Sequence, residues 1–137
     1  MKISIIIPIL NEAESITHLI SHLLTSFHIT ENIKEIIIVD GGSTDDSIKV
    51  VAAFSKKIKI PLYIISSNKG RARQLNAGAS VAKGDILYFL HADSFPPKDF
   101  DMLIIKEVEK NNKAGCFRMK FDSNHWWLRF LGWLTKF

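Results

Sequence analysis

The hydrophobic positions of this chain follow two alternating patterns. Short apolar runs rich in isoleucine are typical of strands in a buried sheet. They occupy residues 3–9, 34–40, 61–65 and 85–90. Between these runs, apolar residues recur with helical spacing, as in the stripe Ile16, Leu19, Ile20, Leu23, Leu24 and Phe27. The regular succession predicts an α/β fold, doubly wound, with a mostly parallel sheet and helices on both faces.

Polar residues predict where the first two helices begin. Asn11 with Glu14, and Ser43 with Asp46, have the spacing of a capping box, in which side chains bind free backbone N–H groups. We therefore expect Asn11 to cap the first helix and Ser43 to begin a second one that runs to about residue 55. Further helices are predicted at 70–82 and at 98–110, the latter opened by Pro96 and Pro97.

The fourth apolar run, residues 86–90, ends abruptly in the polar segment His91-Ala92-Asp93-Ser94. An unbroken apolar run predicts a strand buried on both faces. The carboxyl end of such a strand opens into the crevice where open α/β sheets bind ligands. Asp93 suits a hard divalent cation next to a diphosphate; the alternative is that it caps the next helix through Ser94. If the extended backbone continues, His91 points to the same side as Asp93. It is then either a metal ligand or a hydrogen-bond partner behind the ligands.

The tips of the first two strands are also polar. Asp40 precedes Gly41-Gly42, and two interpretations stay open for it. An acid at the end of a second strand can hydrogen-bond a nucleotide, which Gly42 would allow to approach closely. Alternatively, Asp40 caps the glycine turn. A dinucleotide site is excluded because Pro8-Ile9-Leu10-Asn11-Glu12 lacks the required glycines. A nucleotidyltransferase is disfavoured as well, because it would have a glycine-rich, lysine-bearing loop after the first strand.

Basic residues gather where the third helix begins. Lys69, Arg71 and Arg73 lie near free N–H groups that favour anions, and Arg71 directly follows Gly70. A solvated basic turn is the competing interpretation for Lys69 and Arg73. Farther along this helix, Gly78 predicts close packing against the sheet, since glycine otherwise weakens a helix.

Three other residues favour structural or solvent-exposed roles. His18 and His22 have the spacing of a two-histidine metal site, but they fall among polar residues with no third ligand, which favours a solvated helix face. The single Cys116 indicates a reducing compartment, and we expect it to be a buried thiol.

Composition narrows the class of protein. The chain has 137 residues, 47% of them hydrophobic, and a net charge of +4. The charge is too mild to indicate a nucleic-acid partner. We expect an α/β domain over residues 1–121, including a one-face strand at 117–121, and an apolar helical segment over 122–137. Trp126, Trp127 and Trp133 in that segment favour burial by missing protein, by a partner subunit in a homo-oligomer or by a membrane surface. Without a signal peptide or membrane span, a cytoplasmic location is expected, with peripheral membrane attachment as the alternative.

Four motifs together resemble the family-two glycosyltransferases of the GT-A fold. They are the segments 4–12 (SIIIPILNE), 38–45 (IVDGGSTD), 70–78 (GRARQLNAG) and 89–93 (FLHAD). The third and fourth look closest to a subgroup of arsenosugar-biosynthesis-type glycosyltransferases. The resemblance implies a sugar transferase that uses a nucleotide-diphosphate donor, commonly a UDP-sugar, with Mg²⁺ or Mn²⁺.

The resemblance also implies roles for particular residues. Pro8, Asn11 and Glu12 would line the nucleotide pocket, Asp40 would hold the base or ribose, Arg71 would approach the nucleotide, and Asp93 would bind the metal. His91 departs from the family pattern, which usually has an acid at that position. Family members continue past residue 137, into the segment that supplies the acceptor site and the catalytic base. No base is therefore assigned, and the acceptor is unknown. A nucleotide-sugar-binding module without transferase activity is the alternative.

Overall fold

The computed structural model of the chain describes residues 1–117. Its central feature is a parallel sheet with strand order β3-β2-β1-β4. The elements in chain order are β1 (Ile3–Ile9), α1 (Ala13–Ser26), a 3₁₀ turn (Thr30–Asn32), β2 (Ile33–Asp40), α2 (Ser47–Ser55), β3 (Leu62–Ser66), α3 (Arg71–Val81), β4 (Ile86–Phe89) and α4 (Phe100–Glu109). This arrangement confirms the predicted α/β fold and places its strands within two residues of the predicted limits.

The strand order places helices on both faces of the sheet. The chain steps from β1 to β2 to β3 in one direction and then returns across the sheet to β4. Because parallel crossovers are right-handed, α1 and α2 lie on one face and α3 lies on the other. β1 and β2 form the interior, where Ile5, Ile6, Ile36 and Ile38 are fully buried. The apolar runs Ile5–Ile7 and Ile36–Val39 at their centres reflect burial from both sides.

β4 does not have the two-sided burial that its apolar sequence predicts. In the described sheet it is an edge strand, and Leu87 and Phe89 are 41% and 46% exposed. Ile86 and Tyr88 face the other way and are half-buried; the Tyr88 ring packs against Phe100 at 5.4 Å between centroids. Burial raises the pKa of Tyr88 to about 12. Within residues 1–117 the prediction is therefore wrong for one face of β4.

Three of the four predicted helix starts are displaced, because tertiary contacts replace local caps, whereas α3 begins at Arg71, one residue after its predicted start. Asn11 adopts a left-handed backbone with φ 55° and α1 begins two residues later, at Ala13. α2 begins at Ser47 rather than at Ser43. α4 begins at Phe100 rather than directly after the two prolines, since the preceding segment first runs along α1. There the Pro96 carbonyl hydrogen-bonds the His22 ring at 2.7 Å.

α3 lies against the sheet as closely as Gly78 predicts. A Cβ at this position would lie 2.4 Å from Cγ2 of Ile6 and 3.0 Å from Cγ2 of Val39. Either distance is too short for an ordinary contact, so the helix can approach the sheet only with glycine here. The prediction of close packing at Gly78 is confirmed.

Two smaller expectations are corrected. Cys116 is exposed rather than buried. His18 is exposed as expected, but His22 is half-buried and its ring contacts Phe95 edge-on. By internal contacts the chain divides into two compact units, Met1–Lys106 and Glu107–Phe137. In the second, Lys110 pairs with Glu107 at 2.6 Å.

All but the first residue of the predicted strand at 117–121, and the whole apolar segment at 122–137, lie outside the described residues, so this strand and the boundary at residue 121 stay predictions. No helix in the portion that the structure describes is long and apolar enough to cross a membrane.

Candidate functional site

A cleft of about 150 Å³ opens at the carboxyl edge of the sheet, beside the ends of β1 and β4. Three segments that are distant in sequence contribute to it: the end of β1 with the β1–α1 turn, the start of α3, and the turn after β4. The lining residues are Pro8, Ile9, Leu10, Glu12, Arg71, Gln74, His91, Ala92 and Asp93. This is the edge at which open α/β sheets bind ligands.

Pro8 helps to explain why the cleft forms between β1 and β4. The Ile6 carbonyl accepts a hydrogen bond from the Leu90 N–H at 3.0 Å, so Ile6 directs its backbone polar groups toward β4. Pro8, two residues on, has the same orientation, and it lies beyond the last β1–β4 pair, Ile6 with Phe89. Proline has no N–H to donate, and at this position none is needed. The two strands therefore part at Pro8.

Five of the residues singled out by sequence line this cleft: Pro8, Glu12, Arg71, His91 and Asp93. They come from the end of β1 and the turn after it, from the start of α3 and from the turn after β4, and are brought together by the parallel strand order. The other three, Asn11, Asp40 and Gly42, are not among its lining residues. Their contacts lie in the adjoining loops after β1 and β2.

Asp40 makes the contacts of a turn cap. The residue is buried, and its carboxylate accepts hydrogen bonds from the N–H groups of Gly42 and Ser43, each at 3.1 Å. Gly42 has φ 98°, a conformation in which any other residue is strained. Of the two interpretations left open for Asp40, these contacts establish the turn cap, whereas a nucleotide-binding role stays a prediction.

Asn11 links two loops rather than capping its own helix. Its side-chain oxygen accepts hydrogen bonds from the N–H groups of Thr44 at 2.7 Å and Asp45 at 3.3 Å. Its own N–H donates to the Ser43 hydroxyl at 2.9 Å. The β1–α1 turn and the β2–α2 loop are thus fastened to each other beside the cleft.

Gln74 is a site residue whose importance the sequence did not reveal. Its side chain is buried, and its Nε2 donates to the carbonyls of Ile9 and Val39, both at 2.9 Å. This amide holds the start of α3 against the ends of two strands, one turn after Arg71. A sequence signal was available: Gln74 lies four residues before Gly78, on the helix face that glycine places against the sheet.

Arg71 is the first residue of α3 and is exposed at the cleft. Gly70 before it has φ 137°, a conformation that glycine adopts freely. The free N–H groups of the first helical turn add to the positive charge of the guanidinium. None of the ion pairs found in residues 1–117 involves Arg71, Glu12 or Asp93. The cleft therefore carries one cation and two carboxylates that are not neutralised by these pairs.

His91 and Asp93 share the cleft without sharing a strand. β4 ends at Phe89, and the Ser94 N–H donates to the His91 carbonyl at 3.0 Å, so the backbone turns through Ala92 and Asp93. The extended backbone therefore does not continue to Asp93, and this was the condition under which we expected His91 and Asp93 to point to the same side. In residues 1–117 no group of three His, Cys, Asp or Glu side chains could hold a metal ion. One carboxylate and one imidazole suit a cation that takes its remaining ligands from water and from bound phosphates.

Solved structures similar to this chain have the GT-A fold of glycosyltransferases. Residues 1–349 of TarS from S. aureus superpose with a TM-score of 0.71 and 22% identity, over 90% of this chain and 40% of that one. The mannosyltransferase PcManGT from Pyrobaculum calidifontis, in complex with GDP-Man and Mn²⁺, gives a TM-score of 0.74 and 21% identity, over 86% of this chain and 36% of that one. Fold and cleft together define a GT-A domain.

The sequence assigns the domain to a family within that class. Residues 4–134 match the model of glycosyl transferase family 2, and the chain belongs to this family. It is 32% identical over 120 residues to the undecaprenyl-phosphate 4-deoxy-4-formamido-L-arabinose transferase of Proteus mirabilis. The same enzyme of Salmonella choleraesuis is 31% identical. The match covers 85% of this chain and 37% of each relative, so the chain spans just over a third of their length.

Proposed function

We propose that this chain binds the donor for a glycosyltransferase that moves a sugar from a nucleotide diphosphate, a UDP-sugar, to an acceptor. One observation carries the proposal. Arg71, at the start of a helix, and Asp93, at a strand end, line the same cleft at the carboxyl edge of a parallel sheet. A cation beside a carboxylate that can hold a metal is the pairing that a diphosphate requires.

The size of the cleft suits the diphosphate rather than the whole donor. Its volume of about 150 Å³ is below the roughly 300–1,000 Å³ of pockets that enclose a complete small ligand. We assign the diphosphate to the cleft. The base and the ribose then lie outside it, on the side of the adjoining loops, where Asn11, Asp40 and Gly42 were expected to contact them.

The cleft residues divide into anion-binding and cation-binding groups. Arg71 and the first turn of α3 would bind the diphosphate oxygens. Asp93, with His91 as the alternative or additional ligand, would hold Mg²⁺ or Mn²⁺, and Pro8 and Glu12 would form the wall opposite. When bound, the divalent cation neutralises the negative charge that develops on the leaving diphosphate.

Similar proteins support a nucleotide donor. TarS has been crystallised with UDP and with UDP-GlcNAc, and PcManGT with GDP-Man and Mn²⁺. The curated relatives act on undecaprenyl phosphate. We therefore propose a lipid-phosphate acceptor and action at the surface of a cytoplasmic membrane. The catalytic base is not assigned to any residue in 1–117.

Titration calorimetry with UDP and Mn²⁺ tests the proposal, with Arg71→Ala and Arg73→Ala as a matched pair. Both remove one guanidinium from the exposed start of α3, but of the two only Arg71 lines the cleft. We expect Arg71→Ala to weaken UDP binding about tenfold or more, because a charge-assisted contact to phosphate is lost. Arg73→Ala should bind like the parent chain. A parent chain that binds no nucleotide would contradict the proposal, and binding without transfer would indicate a binding module.

A further inference from the structure

The N-terminus of α1 is capped by side chains from the β2–α2 loop and from the first residue of α2, rather than by a side chain of its own. The Glu12 N–H donates to the Ser47 hydroxyl at 2.9 Å, and the Ala13 N–H donates to Oδ2 of Asp45 at 3.2 Å. These are two of the N–H groups that a helix start leaves without intrahelical partners. The β2–α2 loop therefore fixes the position at which α1 begins.

Asp45 is central to these contacts. Its Oδ1 accepts from both the N–H at 3.0 Å and the hydroxyl of Ser47. Because that hydroxyl is used as a donor toward Asp45, its lone pairs face the Glu12 N–H. Ser47 is fully buried and cannot turn to solvent instead. Asp45 itself is exposed, and the hydrogen bond from Ser47 lowers the pKa of its carboxyl group, which is therefore ionised at neutral pH.

We propose that Asp45 is a positioning residue for the cleft: through Ser47 and Ala13 it holds the β1–α1 turn so that Glu12 forms its wall. Asp45 does not line the cleft, whereas Glu12 does. The residue before Glu12, Asn11, has a left-handed backbone, a costly conformation that persists only where surrounding contacts impose it. The contacts from Ser43, Asp45 and Ser47 impose it here. We call these three residues the clamp of the β1–α1 turn, and its role in ligand binding rests on the proposed function.

The adjacent Asp46 provides a matched control. Its carboxylate is 69% exposed and pairs with Lys49 at 2.7 Å on the surface of α2. It makes no side-chain cap of the helix start in the described structure. Asp46→Ala thus removes the same charge one residue away, without touching the β1–α1 turn.

The test measures the affinity for UDP in the presence of Mn²⁺, and the amide hydrogen exchange, of the 137-residue chain. We expect Asp45→Ala to weaken UDP binding about tenfold and to accelerate exchange at the Glu12 and Ala13 amides, while Asp46→Ala changes neither. The effect should shrink to about twofold in a Glu12→Gln background and stay about tenfold in an Arg71→Ala background, because coupling is confined to groups that act together. A general loss of structure would lower affinity equally in both backgrounds.

The remaining outcomes also decide whether Asp45 has the proposed positioning role. Equal affinity of Asp45→Ala and Asp46→Ala overturns the positioning role, as does a tenfold loss that persists in Glu12→Gln. If Asp45→Ala does not fold, Asp45→Asn replaces it, since the amide keeps an oxygen for Ser47 and loses only the acceptor facing Ala13. If the parent chain binds no nucleotide, the proposed function fails and the binding role fails with it. Unchanged exchange at Glu12 and Ala13 would overturn the clamp itself.

Discussion

Single side chains in the cleft have opposed charges that the ion pairs of the described residues do not neutralise. Arg71 favours an anion, while Glu12 and Asp93 oppose one unless a cation accompanies it. A diphosphate with a divalent ion satisfies both conditions, since the ion screens the carboxylate and contacts the phosphate. The proposed function therefore requires that Asp93 contributes to diphosphate binding only through the metal, whereas Arg71 binds the diphosphate directly.

Replacement of Asp93 should separate metal binding from nucleotide binding. We expect Asp93→Ala to abolish the gain in UDP affinity produced by Mn²⁺, and to leave metal-free binding equal or slightly tighter, because a repulsive carboxylate is removed. Calorimetry with and without Mn²⁺ measures both. Asp46→Ala, which removes a surface carboxylate, is the control. Persistent metal dependence in Asp93→Ala would refute its assigned role.

Asp101 contributes stability that depends on pH. The Asp101 residue is buried, and desolvation by itself would raise the pKa of its carboxyl group. The carboxylate accepts hydrogen bonds from the His28 N–H and the Asn32 amide, both at 2.8 Å, and from the Ile29 N–H at 3.1 Å. Together these bonds lower the pKa of Asp101. Since the folded pKa lies below the unfolded value of about 3.9, the stabilisation is complete above that pH and is lost as pH falls through the folded pKa.

Asp101→Asn tests this contribution. The amide turns an N–H group toward N–H donors, so we expect the free energy of unfolding at pH 7 to fall by about 1–3 kcal/mol. The difference from the parent chain should narrow as pH falls below about 4, because the Asp101 carboxylate is then protonated in the unfolded chain before it is protonated in the folded one. Urea unfolding across pH measures it, with the partly exposed Asp99→Asn as control. A difference independent of pH would contradict the ionised role.

At the scale of elements, α3 connects core packing to the cleft. Gly78 sets its distance from β1 and β2, and Gln74 fastens its first turn to the carbonyls of Ile9 and Val39. Arg71 lies one turn earlier on the same helix. Any displacement of α3 from the sheet therefore moves the guanidinium that we assign to the diphosphate.

Gly78→Ala should show that this packing outweighs helix propensity. Alanine is favoured over glycine in a helix by about 1 kcal/mol. However, its methyl group would lie 2.4 Å from Cγ2 of Ile6, a fully buried side chain with little room to move. We expect a net loss of about 1–3 kcal/mol in the free energy of unfolding, measured by urea denaturation. Asn76→Ala, on the exposed side of α3, is the control. A stabilised Gly78→Ala would contradict the geometry.

At the scale of the whole molecule, the cleft exists only when the sheet is assembled. Its lining spans residues 8 to 93, and parallel pairing brings these segments to one edge. A ligand bound there stabilises the folded chain because the unfolded chain has no such site. UDP with Mn²⁺ at 100 times its dissociation constant should therefore add about 2.7 kcal/mol to the free energy of unfolding. Denaturation with and without ligand measures it, and Arg71→Ala at the same UDP concentration should gain less.

Much of the fold could be predicted because the interior strands carry an unambiguous pattern. β1 and β2 are buried from both sides, so most of their positions are apolar, with the runs Ile5–Ile7 and Ile36–Val39 at their centres, and the strand limits are clear. β4 has an equally apolar sequence but a different environment, and its composition alone could not reveal that one face is exposed. The pattern reports which residues are apolar, whereas neighbouring elements decide which of them are covered.

The candidate site likewise has features that the sequence predicts and features that only the tertiary structure decides. The sequence by itself determined that polar, charged residues follow each strand, and the parallel order predicted from it places them at one edge. It could not determine how the turns are held. Asn11 and Ser43 have the spacing of local caps, yet they bind each other across two loops, and Gln74 binds two strand ends. Only the tertiary structure decided these partners, because a hydrogen bond goes to whichever acceptor folding brings within about 3 Å, and sequence spacing specifies only the local candidates.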